Sequence, residues 1–111
     1  MLTIVLLLVL CAEVPLSIAL AADVVPNQAG AFLAYCKTNS DGCADRILEV
    51  SFALEVSSPI DHKMCLPKGI NVPNAVPPKV VEWLTAHSEA ADKATSSGIQ
   101  LALLQLYPCK R

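Results

Sequence analysis

The octapeptide CKTNSDGC, residues 36–43, decides how this chain folds. Its central stretch TNSDG is a cluster of turn formers, and a cysteine stands at each end. The apolar residues before it recur at helical spacing, at Ala29, Phe32, Leu33 and Cys36. The pattern therefore predicts a first helix over residues 28–37, a turn, and a second helix that starts at about Cys43 and is capped by Ser40 or Asp41.

The second helix has a rival interpretation as a strand. Residues 50–56 alternate apolar and polar side chains, which is typical of a half-buried strand. The same region also supplies two adjacent helical stripes, Ile47, Val50 and Leu54 on one and Leu48, Phe52 and Val56 on the other. We expect a helix, because no second strand is visible in the sequence and an isolated strand would leave its backbone groups unpaired.

A long loop is expected after this helix. Residues 57–75 lack a lasting periodicity and contain several helix breakers, namely Pro59, Pro67, Gly69 and Pro73. A loop of this length is uncommon in a compact domain and often carries the function. Pro77 and Pro78 then suit the first turn of a third helix, because proline needs no hydrogen-bond partner there.

The last part of the chain predicts a fourth helix. Ser88 suits its N-terminal cap, and its apolar face runs from Ala91 to Leu106. Gly98 either weakens this helix or allows close packing against a neighbour. The expected fold class is all-α: a small four-helix domain over residues 22–111, stapled by disulfides and preceded by a signal peptide.

Residues 1–21 predict that signal peptide. An almost pure run of Leu, Val and Ile ends near Glu13, and small residues further on allow cleavage after Ala21 or Ala22. One alternative is an uncleaved anchor, but the run is shorter than the roughly 20 residues that span a bilayer. Another is a lipid anchor on Cys11, which follows a leucine where a lipoprotein signal needs a small residue.

Four cysteines remain in the exported chain, and an even number in a short exported protein predicts two disulfides. They are Cys36, Cys43, Cys65 and Cys109, and the sequence leaves all three pairings open. Metal binding is the rival interpretation, but neither their spacing nor that of His62 and Cys65 matches a zinc pattern. We expect no metal and no cofactor.

Charge and composition argue for a binding protein. The net charge of −2 gives no field that would favour nucleic acid or a membrane surface as a partner. The histidines are His62 and His87, and oxidised cysteines would supply no nucleophile. General acid and base catalysis needs a third positioned group that the sequence does not offer. We expect no enzyme, and His87 is expected to contact the last carbonyls of the third helix.

Short motifs of the second half stand in a recognisable order. They are MCLPKGI at residues 64–70, VVEWLTAH at 80–87, LAL at 101–103 and LYPC at 106–109. Together they resemble the Rap/Tai immunity-protein family of Gram-negative type VI secretion systems. Its members run Phe-Cys-x-Pro-x-Gly-Val, Val-x-x-Tyr-Leu-x-x-His-Pro, Ala-Leu and Phe-Pro-Cys, with two earlier cysteines where this chain has Cys36 and Cys43.

Some positions depart from the family pattern. Trp83 replaces its tyrosine, Ser88 replaces the proline after the histidine, and Glu49 lies near a common glycine. Pro77 and Pro78 shorten the start of the third helix. These differences leave the fold expectation unchanged and concern the identity of the partner.

The resemblance implies a small periplasmic protein, often a homodimer. It would bind a secreted peptidoglycan amidase effector, block its active site and protect the producing cell. The expected contacts lie in the long loop, which combines charge, hydrogen-bonding groups and an adaptable apolar side chain at Asp61, His62, Lys63 and Met64. The alternative is a solvated loop with Met64 tucked under Cys65. Trp83 is either an interface anchor or a core residue.

Two rival functions come from other classes. A periplasmic acid-stress chaperone would partly unfold at low pH and bind many denatured proteins. A carrier of small apolar ligands would use the Leu-rich and Val-rich helix faces.

Overall fold

The computed structural model describes residues 24–61 and 63–110. Within them, four α-helices follow one another: α1 (Ala29–Thr38), α2 (Ser40–Asp61), α3 (Val72–Ala86) and α4 (Thr95–Leu106). The described residues contain no β-strand, so the all-α prediction is confirmed and residues 50–56 are helical. The signal peptide predicted over residues 1–21 lies outside the described residues.

Asn39 joins α1 to α2. Its backbone N–H donates to the Tyr35 carbonyl at 2.9 Å, which ends α1. Its side-chain Oδ1 accepts the Gly42 N–H at 3.0 Å, and its carbonyl accepts the Cys43 N–H at 3.0 Å. The second helix therefore begins at Ser40, three residues earlier than the sequence predicted. Asn39, and not Ser40 or Asp41, therefore caps this helix. Since the helix begins at Ser40, the residue before it is the one whose side chain reaches the free N–H of Gly42.

The second helix is also longer than predicted, since α2 continues to Asp61. The predicted loop over residues 57–75 is wrong at both ends, and the connection between α2 and α3 covers residues 62–71. Ser57 is helical, and its hydroxyl donates to the Leu54 carbonyl of the preceding turn at 2.9 Å. Pro59 lies in the last turn, where it removes a single helix hydrogen bond.

The third helix starts at Val72, so Pro77 and Pro78 lie inside it and not in its first turn. The Asn71 carbonyl accepts the Ala75 N–H at 2.8 Å and thereby opens the helix. Tertiary burial outweighs the helix-breaking tendency of the two prolines, because this segment buries the side chains of Val76, Pro77, Val80 and Leu84.

The fourth helix begins at Thr95, not after a cap at Ser88, which instead opens the 3-10 turn Ser88–Ala90. The start of the helix is set by the segment that precedes α1. The Thr95 N–H donates to the Asn27 carbonyl at 2.8 Å, and the Ala29 N–H donates to the Lys93 carbonyl at 2.9 Å. These long-range bonds tie the segment before α1, and the first residue of α1, to the start of α4.

One hydrophobic core lies between the helices. Its largest fully buried apolar side chains are Phe32, Ile47, Met64, Val76, Val80, Ile99 and Leu103. Gly98 allows close packing, because a Cβ at this position would lie 2.9 Å from the Ala29 Cβ. The second of the two expectations for Gly98 is therefore confirmed.

Two disulfides staple the domain, as predicted, and the structure settles their pairing. Cys36–Cys43 joins α1 to α2, and Cys65–Cys109 joins the α2–α3 connection to the segment after α4. Disulfides of this kind indicate an oxidising compartment. Within the described part of the chain, every helix is too short or too polar to cross a membrane.

Candidate functional site

The connection between α2 and α3 is held at several points, and we call its described residues 63–71 the tethered loop. Met64 pairs with Pro108 in an isolated antiparallel bridge, and the Cys65 N–H donates to the Tyr107 carbonyl at 2.9 Å. The disulfide Cys65–Cys109 brings the two Cα atoms to 4.8 Å. Backbone and covalent contacts thus fix the loop to the end of α4.

The tethered loop has an inner and an outer side. Met64 is 2% exposed, and Leu66 and Ile70 are partly buried against the core. The outer side is exposed and consists of Lys63, Cys65, Pro67, Lys68, Gly69 and Asn71. The inner side therefore anchors a short projecting surface that carries two positive charges.

A tight turn shapes the outer side. The Ile70 N–H donates to the Pro67 carbonyl at 3.4 Å, and Gly69 has a φ of 81°. This backbone conformation favours glycine, because a Cβ would clash with the neighbouring backbone. Lys68 therefore stands at the tip of a turn whose shape is set by Pro67 and Gly69.

The four residues expected to contact a partner divide into different environments. Lys63 is exposed on the outer side of the tethered loop. Met64 is buried in the core, which matches the alternative of a methionine tucked inward. Asp61 is the last residue of α2, and only its place in the helix is described. His62 lies outside the described residues.

A concavity of about 560 Å3 borders the tethered loop at the Cys65–Cys109 disulfide. Its walls include Leu66, Leu106 and Tyr107. Burial raises the pKa of the Tyr107 phenol above its ordinary value of 10.0. The tethered loop therefore borders a mainly apolar concavity, with Tyr107 in its wall.

Two large apolar residues of the second helical stripe of α2 are exposed in the structure. Phe52 is 51% exposed and Val56 is 79% exposed, and both lie on one side of α2. We call this pair the apolar ridge. Helical rise puts Val56 only about 7.5 Å from the end of α2, and the tethered loop starts two residues beyond that end. The ridge therefore lies near the end of α2 from which the chain enters the tethered loop.

Trp83 and His87 form a second feature, at the end of α3. Their rings stack with a centroid distance of 3.8 Å and an interplanar angle of 10°. His87 Nδ1 lies 2.7 Å from the Trp83 carbonyl oxygen, so the expected contact with the last carbonyls is confirmed. Both side chains are half-buried, and Trp83 packs partly against the core.

Residues 24–61 and 63–110 hold no group of three or more His, Cys, Asp or Glu side chains placed to bind a metal ion. His62 is outside this range, so the expectations of no metal and no catalysis stay predictions.

Comparison with known proteins gives no match for this chain, either among family models, among curated proteins or among solved structures.

Proposed function

We propose that this protein is an exported immunity protein that binds a secreted peptidoglycan amidase effector and covers its active site. The producing cell would thereby be protected from its own enzyme. The class of partner comes from the motifs at residues 64–70, 80–87 and 106–109, which resemble those of the Rap/Tai family. The periplasm is the proposed location, since it contains peptidoglycan and allows disulfides to form.

The tethered loop is the observation that carries this proposal. Its inner side is buried at Met64, and its chain is joined to the end of α4 by Cys65–Cys109. A loop that is already ordered loses little conformational entropy when it enters an enzyme cleft. Preorganisation of this kind is what an occluding inhibitor needs in order to bind tightly.

The charge of the tethered loop indicates which kind of enzyme cleft it would enter. Residues 63–71 contain Lys63 and Lys68 and no Asp or Glu, and Lys110 follows the cysteine that tethers the loop. Positive charge speeds association with an acidic surface and disfavours a basic one. The proposal therefore includes an effector with acidic residues around its cleft.

The apolar ridge supplies a complementary contact. Exposed apolar side chains that lie together mark interaction sites, and aromatic residues often dominate binding energy. Phe52 is the aromatic member of the ridge, beside Val56. We place the ridge at the edge of the interface and the tethered loop at its centre.

The first experiment uses the full chain, tagged at its C-terminus and expressed in the producer. Affinity capture at neutral pH from the periplasm and the secreted fraction should retain one hydrolase in near-equal amount. The purified hydrolase should release fragments from isolated peptidoglycan, and an equimolar amount of this protein should stop that release.

Matched charge reversals then test the tethered loop. Lys68→Glu should weaken binding to the captured hydrolase at least about tenfold, through slower association and faster dissociation, because the tip of the loop lies inside the cleft. Lys79→Glu makes the same change in charge on an exposed residue of α3 and should leave binding unchanged. Equal binding by all three proteins would refute the role of the loop.

A different result would refute the function itself. If no hydrolase is captured at neutral pH, and many denatured proteins bind after acidification, the protein is a chaperone of the acid-stress kind. The homodimer that the resemblance implies stays a prediction, which sedimentation equilibrium of the exported protein tests.

A further inference from the structure

A groove between α1, the start of α2 and α3 lies apart from the tethered loop and the apolar ridge. It holds about 550 Å3, within the range of roughly 300 to 1,000 Å3 that is typical of small-molecule sites. The wall on the α1 side includes Leu33 and the disulfide-bonded Cys36, and the wall on the α3 side includes Pro77, Pro78 and Val81. The lining is therefore mainly apolar.

The prolines of α3 leave a hydrogen-bond acceptor in this lining. In an α-helix the Asn74 carbonyl would accept the N–H of residue 78, and in a tighter turn that of residue 77. Both positions are proline and have no N–H. Asn74 and Pro78 both line the groove. Helix carbonyls point toward the C-terminus, so the Asn74 carbonyl oxygen points along α3 toward Pro78, on the side of the helix that lines the groove.

The charges at the rim favour a neutral ligand. Lys37 on α1 and Glu82 on α3 are exposed residues of the lining, and they carry opposite charges. A ligand with a net charge would meet one favourable and one unfavourable group. A neutral molecule would meet a mainly apolar surface, the Asn74 carbonyl and the exposed polar side chains of Ser40, Asn74 and Thr85.

We propose that this groove binds a neutral small molecule with an apolar body and a single hydrogen-bond donor, and that the donor reaches the Asn74 carbonyl. The apolar body packs on Leu33, Pro77, Pro78 and Val81. The donor compensates the carbonyl for the helix hydrogen bond that the two prolines remove. This site is independent of the proposed inhibition of an amidase, because it uses neither the tethered loop nor the apolar ridge.

The test uses protein purified from cells that express the full chain, with three probes. N-phenyl-1-naphthylamine is neutral and apolar and carries one N–H, and its fluorescence should rise saturably with one molecule bound per chain. 4-Butylphenol and its methyl ether then compete for the groove. Their apolar bodies are nearly the same, but only the phenol can donate. The phenol should displace the dye at about fivefold lower concentration than the ether, the effect expected for one hydrogen bond.

A single substitution isolates the acceptor. Pro78→Ala supplies the missing N–H, which then pairs with the Asn74 carbonyl inside the helix. Both competitors lose the contact with the proline ring, but only the phenol also loses its hydrogen bond, so its affinity should fall about fivefold further than that of the ether. Lys79→Ala, next to it and outside the groove, should change neither. Val81→Trp should fill the groove and weaken every probe.

Three outcomes would overturn the proposal. They are the absence of saturable dye binding in the wild-type protein, equal displacement by the phenol and the ether, and an equal effect of Pro78→Ala on both competitors. The ratio of phenol to ether in the wild-type protein decides the question even if a variant fails to fold.

Discussion

The Thr95 hydroxyl donates a hydrogen bond of 2.6 Å to the Pro26 carbonyl, and 69 residues of chain separate the two partners. Thr95 is only 6% exposed and Pro26 is half-buried, so this bond is partly shielded from water. The neighbouring backbone bond from the Thr95 N–H to the Asn27 carbonyl runs in the same direction. Together they fasten the segment before α1 to the first residue of α4, and this closes the fold.

Thr95→Val should destabilise the protein by about 1 to 2 kcal/mol. Valine keeps the shape of threonine but leaves the half-buried Pro26 carbonyl without this donor. Urea unfolding at neutral pH with both disulfides intact measures this loss. Ser97→Ala changes an exposed hydroxyl of the same helix and should stay within about 0.5 kcal/mol of wild type. Similar values for the two variants would show that the Thr95 bond contributes nothing.

Gly98→Ala should also be destabilising, although alanine is the better helix former by about 1 kcal/mol. The new methyl group would lie 2.9 Å from the Ala29 Cβ and 3.6 Å from Leu84 Cδ2. Overpacking of this kind costs about 1 to 3 kcal/mol, so the net loss should be about 1 kcal/mol. Thermal unfolding of the variant measures it.

The double variant Ala29→Gly with Gly98→Ala provides the control. Removal of the opposing methyl group should relieve the clash, so that the two substitutions couple favourably by about 1 kcal/mol. Additive effects would mean that α1 and α4 simply move apart.

The sequence predicted the fold class and the disulfide-bonded cysteines because both depend on local signals. Helical periodicity and turn formers are visible in the residues themselves, and so is an even count of cysteines. The bounds of α3 were missed for a different reason. Proline at positions 77 and 78 indicates a helix start, and only the burial of Val76 and Pro77 against other helices overrides that signal.

The candidate site was harder to predict than the fold. Loop residues carry no periodicity, so the sequence could not show that Met64 points inward and Lys63 outward. Helix α2 is apolar on several sides, which is why Phe52 and Val56 were placed on a stripe that the fold leaves exposed. Which stripe of such a helix is covered depends on the packing of the other helices, and that is a tertiary property.

The two disulfides should differ in how much they stabilise the protein. Cys65–Cys109 closes a sequence separation of 44 residues, and Cys36–Cys43 closes one of 7. In the chain-entropy account, the longer loop should give about 1.6 kcal/mol more stability. The pair Cys65→Ala and Cys109→Ala should therefore lower the free energy of unfolding further than Cys36→Ala with Cys43→Ala. The opposite order would show that native contacts at Cys43, which is buried, outweigh chain entropy.

Alkaline pH should destabilise the protein through Tyr107. Burial raises its pKa above 10.0, so the folded state disfavours the phenolate more than the unfolded state does. The contribution of this group is complete below pH 10 and is lost as the pH rises through the folded pKa. Subtracting the phenolate absorbance of Tyr107→Phe at 295 nm from that of wild type isolates the titration of Tyr107. The midpoint of this titration should lie above pH 10.0. The loss of stability above pH 10 should be smaller in Tyr107→Phe, and a midpoint at or below 10.0 would contradict the account.

Phe52→Ser should separate binding from stability. Phe52 is 51% exposed, so its replacement removes few core contacts and should change the free energy of unfolding by no more than about 0.5 kcal/mol. Ile47, on the same helix, is fully buried, and Ile47→Ala should cost about 2 to 5 kcal/mol. If the apolar ridge contacts the hydrolase, Phe52→Ser should weaken capture about tenfold or more, as expected for an aromatic anchor. Unfolding curves and binding titrations of the same samples give both quantities. A stable Phe52→Ser variant that binds the hydrolase as tightly as wild type would remove the ridge from the interface and leave the tethered loop as its centre.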